Sequence, residues 1–146
     1  MINQNVRLKG AGTFILTDKS GEIQTFHKDN MILDVGFDFI ANSMCDAGAR
    51  PAVMDMIAIG TDASAGATTD VGLGTELLRK ACTYTHTTGT RSFKLESTFA
   101  PGEGTGAIVE SGVVSSEDIF LDRVAFDVIN KGPDDTLTVI FSFSMS

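Results

Sequence analysis

The chain has 146 residues, 42% of them hydrophobic and 21% charged, a composition typical of a globular protein that forms one domain. Its 11 basic and 19 acidic residues give a net charge of −8, and the basic residues are scattered. Binding to the phosphate backbone of nucleic acid is therefore disfavoured. The apolar runs are far shorter than the roughly 20 residues that span a bilayer, and no apolar signal core is found at the amino end. We expect neither nucleic acid nor a membrane as a partner.

The first predicted elements are a β-hairpin and a helix. Residues 12–18 and 22–28 read as strands on either side of the turn tetrad DKSG. A change to helical spacing then predicts a helix over residues 34–46, with Asp34 as its N-cap. The apolar residues that define this spacing share one helical face: Phe37, Ile40, Ala41 and Met44.

Most of the chain after residue 74 has the alternation of β-strands. The predicted strands cover residues 80–88, 91–99, 107–114, 119–129 and 136–144. The last of them places its large apolar residues on one face: Leu137, Val139, Phe141 and Phe143. The pattern of 119–129 is irregular, which predicts a bulge or burial on both faces. About seven short strands and one short helix near the amino end predict a mainly β fold, a jelly-roll-like antiparallel β-sandwich with residues 1–146 as a single domain.

The glycine-rich stretch MIAIGTDASAGATTDVGLGT, residues 56–75, could in principle bind a nucleotide. A phosphate-binding P-loop requires a Lys where Ala67 stands, and the dinucleotide motif requires a third glycine where Leu77 stands. Both signatures fail at the residues that carry their chemistry. We interpret residues 60–74 as a long connection whose glycines leave the backbone free to reach a neighbouring subunit.

The sequence also gives little support for a catalytic or metal-binding site. Five acidic residues could supply an acid/base pair or a hard-cation site: Glu103, Glu110, Glu117, Asp118 and Asp122. Nothing fixes their spacing, so we interpret them as solvated surface. A dyad of Cys82 and His86 would place the two side chains roughly 13 Å apart along a strand, too far for a hydrogen bond. We predict no catalytic residue, metal site or cofactor, and we expect Cys45 and Cys82 to be buried thiols.

The order of four segments resembles that of small virion structural proteins of tailed bacteriophages, either head decoration (cement) proteins or tail-associated proteins. These segments span residues 28–44, 56–80, 97–114 and 119–144, and the resemblance covers residues 28–143. It includes a strand ending in the loop IGTD, and a Gly-x-Ile-x-Glu-x-Gly strand that starts at Gly106. The chain departs from the pattern with TD after Gly60 and with the acidic SSED turn at residues 115–118.

The resemblance implies a non-enzymatic protein, made in the bacterial host cytoplasm and assembled on the virion. Its implied partners are the major capsid protein and identical copies of itself, as a homotrimer on the outer surface of the shell. The amino-terminal segment and the loop of residues 60–74 are the candidate contact regions. The candidate assembly contacts are polar residues of these two segments: Asn5, Arg7, Thr61, Asp62, Ser64, Thr69 and Asp70.

Two alternatives to the decoration protein stay open. The first is a tail, collar, baseplate or fibre component of the same phage. The second, more distant, is a small carbohydrate-binding or hydrolytic β-sandwich. The absence of Trp and the single Tyr disfavour sugar binding, because sugars stack on exposed aromatic rings.

Overall fold

The computed structural model describes residues 5–146, which form an antiparallel β-sandwich of two sheets with one helix. The predicted fold class is confirmed. The elements follow the chain in this order: β1 (Leu8–Thr17), β2 (Ile23–Asp29), β3 (Met31–Ile32), α1 (Asp34–Cys45), β4 (Met54–Gly60), β5 (Glu76–Ala81), β6 (Thr83–His86), β7 (Ser92–Phe99), β8 (Gly106–Ser115), β9 (Asp122–Lys131) and β10 (Thr136–Met145). Ten strands replace the seven or so predicted, partly because the predicted strand 80–88 is divided at Cys82.

Each sheet has five strands. The first has the order β2-β1-β10-β7-β6 and the second the order β3-β9-β8-β4-β5. β1 and β10 pair over ten residues, from Leu8 opposite Met145 to Thr17 opposite Thr136. The pairing continues beyond the strands, where the N–H of Arg7 donates to the carbonyl oxygen of Ser146 at 2.7 Å. The two ends of the described chain therefore lie side by side.

The chain crosses between the sheets twice with a single residue between strands. Asn30 separates β2 of the first sheet from β3 of the second, and Cys82 separates β5 of the second sheet from β6 of the first. Both crossing residues are held through the main chain: Asn30 N–H donates to Gly10 O at 3.0 Å, and Cys82 N–H to Asp55 O at 2.9 Å. Each lateral edge of the sandwich thus carries a covalent link between the sheets.

The hydrophobic core lies between the two sheets. The face predicted for the last strand is confirmed, because its apolar side chains are at most 1% exposed: Leu137, Val139, Phe141 and Phe143. Phe14 of β1 packs edge-on against Phe141, with ring centroids 6.4 Å apart. Burying a side chain of this size contributes about 1.5–3 kcal/mol. The alternation of apolar residues in β1 and β10 thus gives each strand one face in the core.

The predicted hairpin is also confirmed. β1 and β2 pair from Ala11 opposite Asp29 to Thr17 opposite Ile23. The Asp18 carboxylate closes the turn by accepting the N–H groups of Ser20 and Glu22 at 2.8 and 3.0 Å. Aspartate at the start of such a turn replaces a main-chain acceptor with its own side chain.

Helix α1 agrees with the prediction in length but not in its packing. Its N-cap is Leu33 rather than Asp34, which is the first helical residue, and no side chain caps the amino end. The buried residue of the helix is Gly36, which lies against the main chain of Leu121. The predicted apolar face is largely uncovered, since Phe37 and Met44 remain 53% and 71% exposed. The close contact at a glycine turns the larger side chains away from the core.

Two further predictions concern strand regularity and the cysteines. Between β8 and β9 the pairing shifts from Ile108 opposite Ile129 to Glu110 opposite Ala125, which confirms the predicted bulge. The expectation of buried thiols is wrong for Cys45, which is exposed at the last residue of α1. Cys82 is half-buried. Within residues 5–146, no helix has both the length and the apolar character needed to cross a bilayer.

Candidate functional site: a loop fastened by a buried ion pair

The long connection between β4 and β5 is a closed loop. Its ends meet where the N–H of Thr61 donates to the carbonyl oxygen of Thr75 at 2.9 Å. The segment between them is a compact surface loop with neighbouring ends, the geometry of an Ω-loop. The loop also contacts the helix, because Asp34 N–H donates to Thr68 O at 2.8 Å.

Glu110 of β8 fastens both ends of this loop. Its side chain is fully buried, and its Oε1 accepts the N–H groups of Thr75 at 2.8 Å and Asp62 at 3.2 Å. Its Oε2 accepts the N–H of Gly74 at 2.9 Å. In a phosphate-binding loop, main-chain N–H groups converge on a bound anion. Here they converge on a carboxylate that the protein itself supplies.

Arg123 of β9 completes the arrangement. Its side chain is 3% exposed, and its Nη2 lies 2.9 Å from Glu110 Oε2, with Nε donating to the same oxygen at 3.0 Å. Nη2 also donates to the carbonyl oxygens of Asp62 and Ser64, at 3.3 and 3.0 Å. Nη1 lies 3.5 Å from Asp70 Oδ2. A buried ion pair is tolerated when its remaining hydrogen-bonding groups are satisfied, as they are here.

Two glycines make room for carboxylates that hold the loop. A Cβ atom at Gly60 would collide with Glu110 Oε1 and with Thr75 O, and one at Gly74 would collide with the Asp62 carboxylate. These glycines are required by close packing. The interpretation of the loop as free backbone is therefore wrong, because Glu110 and Arg123 bind it at both ends.

The predicted contact residues of the loop divide into two groups. Thr61, Ser64 and Thr69 are exposed. Asp62 and Asp70 are half-buried and bind their own loop: Asp62 Oδ1 accepts Ser64 N–H at 2.9 Å, and Asp70 Oδ2 accepts Ala67 N–H at 2.9 Å. Thr61 and Thr69 remain available to a partner. Ser64 is exposed, but its hydroxyl donates to Asp62 Oδ1 at 2.7 Å, so it orders the loop together with Asp62 and Asp70.

The predicted contacts of the amino-terminal segment lie elsewhere. Asn5 and Arg7 are exposed beside the end of β10, and residues 1–4 of that segment lie outside the described residues. Within residues 5–146 no hydrogen bond or ion pair joins Asn5 or Arg7 to the loop. The structure thus does not bring the two predicted segments together through polar contacts.

The acidic residues considered for chemistry also separate. Glu110 and Asp122 are fully buried, so their interpretation as solvated surface is wrong. The other three carboxylates lie nearer the surface, and each binds one partner. Glu103 binds Lys80, Glu117 accepts the N–H of Ala52, and Asp118 binds Arg79. The hydrogen bond from Lys80 lowers the pKa of Glu103. In the described part of the chain, no three His, Cys, Asp or Glu side chains are gathered as a metal site would require.

Asp122 forms a second buried polar cluster at the crossing between the sheets. Its Oδ1 accepts the N–H of Val113 at 2.7 Å, and its Oδ2 accepts from Asn30 Nδ2. Burial, opposed by these hydrogen bonds, raises the pKa of Asp122 from 3.8 to about 7. The Oδ1 of Asn30 is buried and forms no hydrogen bond within residues 5–146. Asp122 therefore ties Asn30, and with it the start of β3, to β9. Its carboxyl group can hold a proton near neutral pH.

Comparison of the chain with protein-family models, with curated proteins and with solved structures found no match.

Proposed function

We propose that the chain is a non-enzymatic structural protein of a tailed-bacteriophage virion, a decoration or cement protein that binds the outer surface of the major capsid protein shell. The observation that carries the proposal is the buried pair of Glu110 and Arg123, whose hydrogen bonds are used to order the loop of residues 61–75. Their polar atoms face the loop backbone, which they bind. The exposed side of the loop is then the part offered to another molecule.

An ordered loop suits attachment to a repeated surface. Association requires that side chains and loops lose freedom, and a loop already held in place loses less. Thr61, Ser64 and Thr69 lie exposed on a backbone that the ion pair fixes. A particle repeats the same contact many times, so a modest affinity per copy can give durable attachment. The order of sequence segments described above supports the same role.

The arrangement of copies belongs to the same proposal. We take a homotrimer on the shell, synthesised in the bacterial host cytoplasm and assembled onto the particle, as the arrangement that the phage resemblance implies. The homotrimer rests on that resemblance alone.

Locating the protein in the particle by cryo-electron microscopy tests the proposal directly. We expect its density on the outer surface of the head, above the junctions between capsid subunits. Density in the tail, collar or baseplate alone would reject the decoration role in favour of a tail component.

A paired variant tests the role of the loop. Thr69→Glu places a charge on the exposed side of the loop, and Thr98→Glu places one on the exposed face of β7 in the other sheet. With the two proteins equally folded, we expect Thr69→Glu alone to bind particles more weakly in co-sedimentation. Equal binding of both variants would remove the loop from the contact surface.

A further inference from the structure

An open apolar groove of about 470 Å³ lies between α1, the start of β4 and the strands next to the Cys82 crossing. Its walls come from both sheets and from the helix, and they include Phe39, Ile40, Met54, Phe93 and Leu95. Ile40, Met54 and Phe93 are only half-buried, although they pack against the main core. The groove is therefore an opening into the side of the hydrophobic core.

Large apolar side chains remain exposed around this groove. Val53 and Tyr84 line it and are 70% and 64% exposed. On α1, Phe37 and Met44 flank the lining residue Ile40 at helical spacing and are likewise exposed. Single exposed apolar residues are ordinary, but a contiguous apolar patch on a protein surface is often an interaction site.

Two polar groups of the groove also lack partners. The hydroxyl of Ser43 is buried and makes no hydrogen bond within the described residues. A buried hydroxyl without a hydrogen bond is unfavourable, so a ligand that binds it gains affinity. Asp55 is the one ionisable carboxylate in the lining; it is exposed and forms no ion pair with a described residue. Burial raises the pKa of the Cys82 thiol, which keeps that wall uncharged.

We propose that this groove receives a segment of another protein that carries two or three bulky apolar side chains next to a Lys or Arg. The apolar side chains fill the space between Phe39 and Phe93, and the basic group meets Asp55 at the rim. The segment belongs to the capsid subunit, an assignment that rests on the proposed function.

Charge and shape select this occupant over two others. A second copy of the chain brings a net charge of −8 to a groove whose own charged side chain is acidic, and like charges oppose that contact. A small apolar molecule is held best where the protein encloses most of its surface. The exposure of Val53 and Tyr84 shows that this groove is open to solvent on the side that they line. A protein segment can fill the groove and cover its rim together.

Three variants test the groove, chosen so that the fold is retained. Val53→Glu and Asp55→Lys change exposed residues of the groove, and Ile23→Glu changes an apolar residue of β2 with similar exposure, 61%. Each is mixed with particles stripped of the protein, after circular dichroism and thermal unfolding have shown equal folding. We expect at least tenfold weaker binding for the two groove variants and wild-type binding for Ile23→Glu. Wild-type binding by both groove variants overturns the inference.

Two other results separate the inference from the proposed function. If wild-type protein binds isolated tails and not heads, the decoration role fails, and the same variants are compared on tails. Loss of tail binding by the groove variants alone then supports the groove. In sedimentation velocity, wild-type oligomers that Val53→Glu converts to monomers would assign the groove to a second copy and overturn the inferred partner.

Discussion

Glu110 and Arg123 combine two roles that are usually separate, a buried charge pair and an anchor for a loop. Removing two charges from water is expensive, and their mutual attraction offsets this only when the other hydrogen-bonding groups are satisfied. Glu110 receives three main-chain N–H groups, and Arg123 donates to two main-chain carbonyl groups. The stability of the pair therefore depends on the loop being in place, and the loop depends on the pair.

Replacing Glu110 with Gln tests this dependence. The variant keeps the shape of the side chain but leaves the Arg123 guanidinium with a single counter-charge, the half-buried Asp70 carboxylate 3.5 Å from Nη1. Breaking a buried pair in this way costs about 3–5 kcal/mol. We expect a loss of that size in the free energy of unfolding, measured with urea, together with faster amide exchange at Gly74 and Thr75.

The control is Glu103→Gln, which removes a carboxylate that binds Lys80 near the surface. Exposed pairs contribute little to stability, because water and salt screen them, so we expect a much smaller loss than for Glu110→Gln. An equal loss in the two variants would show that burial of the Glu110 pair has no special importance.

Asp122 gives the protein a defined dependence on pH. Its pKa rises from 3.8 to about 7 in the folded state, so between these values the folded protein holds a proton that the unfolded chain has released. This contribution to stability is fully present below about pH 4 and is lost as the pH rises through 7. Asp122→Asn, whose amide can donate to Asn30 Oδ1 as a protonated carboxyl would, should remove this dependence.

The measurement is the free energy of unfolding between pH 4 and 8, taken as the difference between wild type and variant. We expect the advantage of Asp122→Asn to grow as the pH rises. The exposed residue Asp127 of the same strand provides the control, since Asp127→Asn should leave the wild-type profile unchanged. A constant difference between wild type and Asp122→Asn would show that Asp122 does not take up a proton on folding.

Helix α1 is held to the sandwich by close approach at Gly36. Alanine is favoured over glycine in helices by up to about 1 kcal/mol, but a Cβ at Gly36 would collide with the carbonyl oxygen of Leu121. We expect the collision to dominate, with a loss of about 1–3 kcal/mol in the free energy of unfolding. Faster amide exchange confined to α1 would identify the helix as the element displaced.

Gly48 provides the comparison for this substitution. It lies just after α1, and a Cβ there would approach no atom closer than 3.7 Å. Gly48→Ala should change stability by no more than about 0.5 kcal/mol. A stabilising effect of Gly36→Ala would mean that the helix can move away from Leu121 without loss.

The strands with regular alternation were predictable from the sequence, and the buried charges were not. The apolar face of β10 follows from residue spacing alone, because every second residue points to the same side. Burial of Glu110 depends instead on Arg123, which a bulged strand pair brings beside it. One feature of the sequence could have indicated this buried pair. Glu110 and Arg123 interrupt strongly apolar segments, where a charged side chain requires a partner of opposite charge.

For α1, too, the sequence predicted the element but not its packing. Its spacing predicted the helix, but the apolar spacing could not show that Gly36 makes the closest contact and leaves Phe37 exposed. Helical periodicity gives the faces of a helix, whereas the choice of the buried face is made by the surface against which it packs. The exposure of Phe37 and the presence of the groove could therefore be recognised only in the folded structure.

The neighbouring chain ends make the whole molecule suitable for circular permutation. Arg7 and Ser146 are joined by two main-chain hydrogen bonds, of 2.7 and 3.0 Å. We expect a chain joined from Ser146 to Asn5 by a short Gly-Ser linker, and opened between Gly89 and Thr90, to fold with nearly wild-type stability. Gly89 is exposed, with a φ of 90°, at the turn between β6 and β7. Thermal unfolding measures the result.

The control permutant is opened between Gly66 and Ala67 inside the fastened loop. Cutting there lets the two halves of the loop leave Glu110 and Arg123 independently, so we expect a clearly lower midpoint of unfolding. Equal midpoints for the two permutants would show that the loop contributes little to the stability of the sandwich.

The position of the chain ends also determines how the protein responds to mechanical tension. Leu8 at the start of β1 lies opposite Met145 at the end of β10, so a force pulling the two ends apart acts along the hydrogen bonds between the strands. Those bonds then break one pair at a time, as in a zipper, rather than sharing the load. Under the proposed function, attachment through the loop or the groove rather than the ends would keep tension off this strand pair.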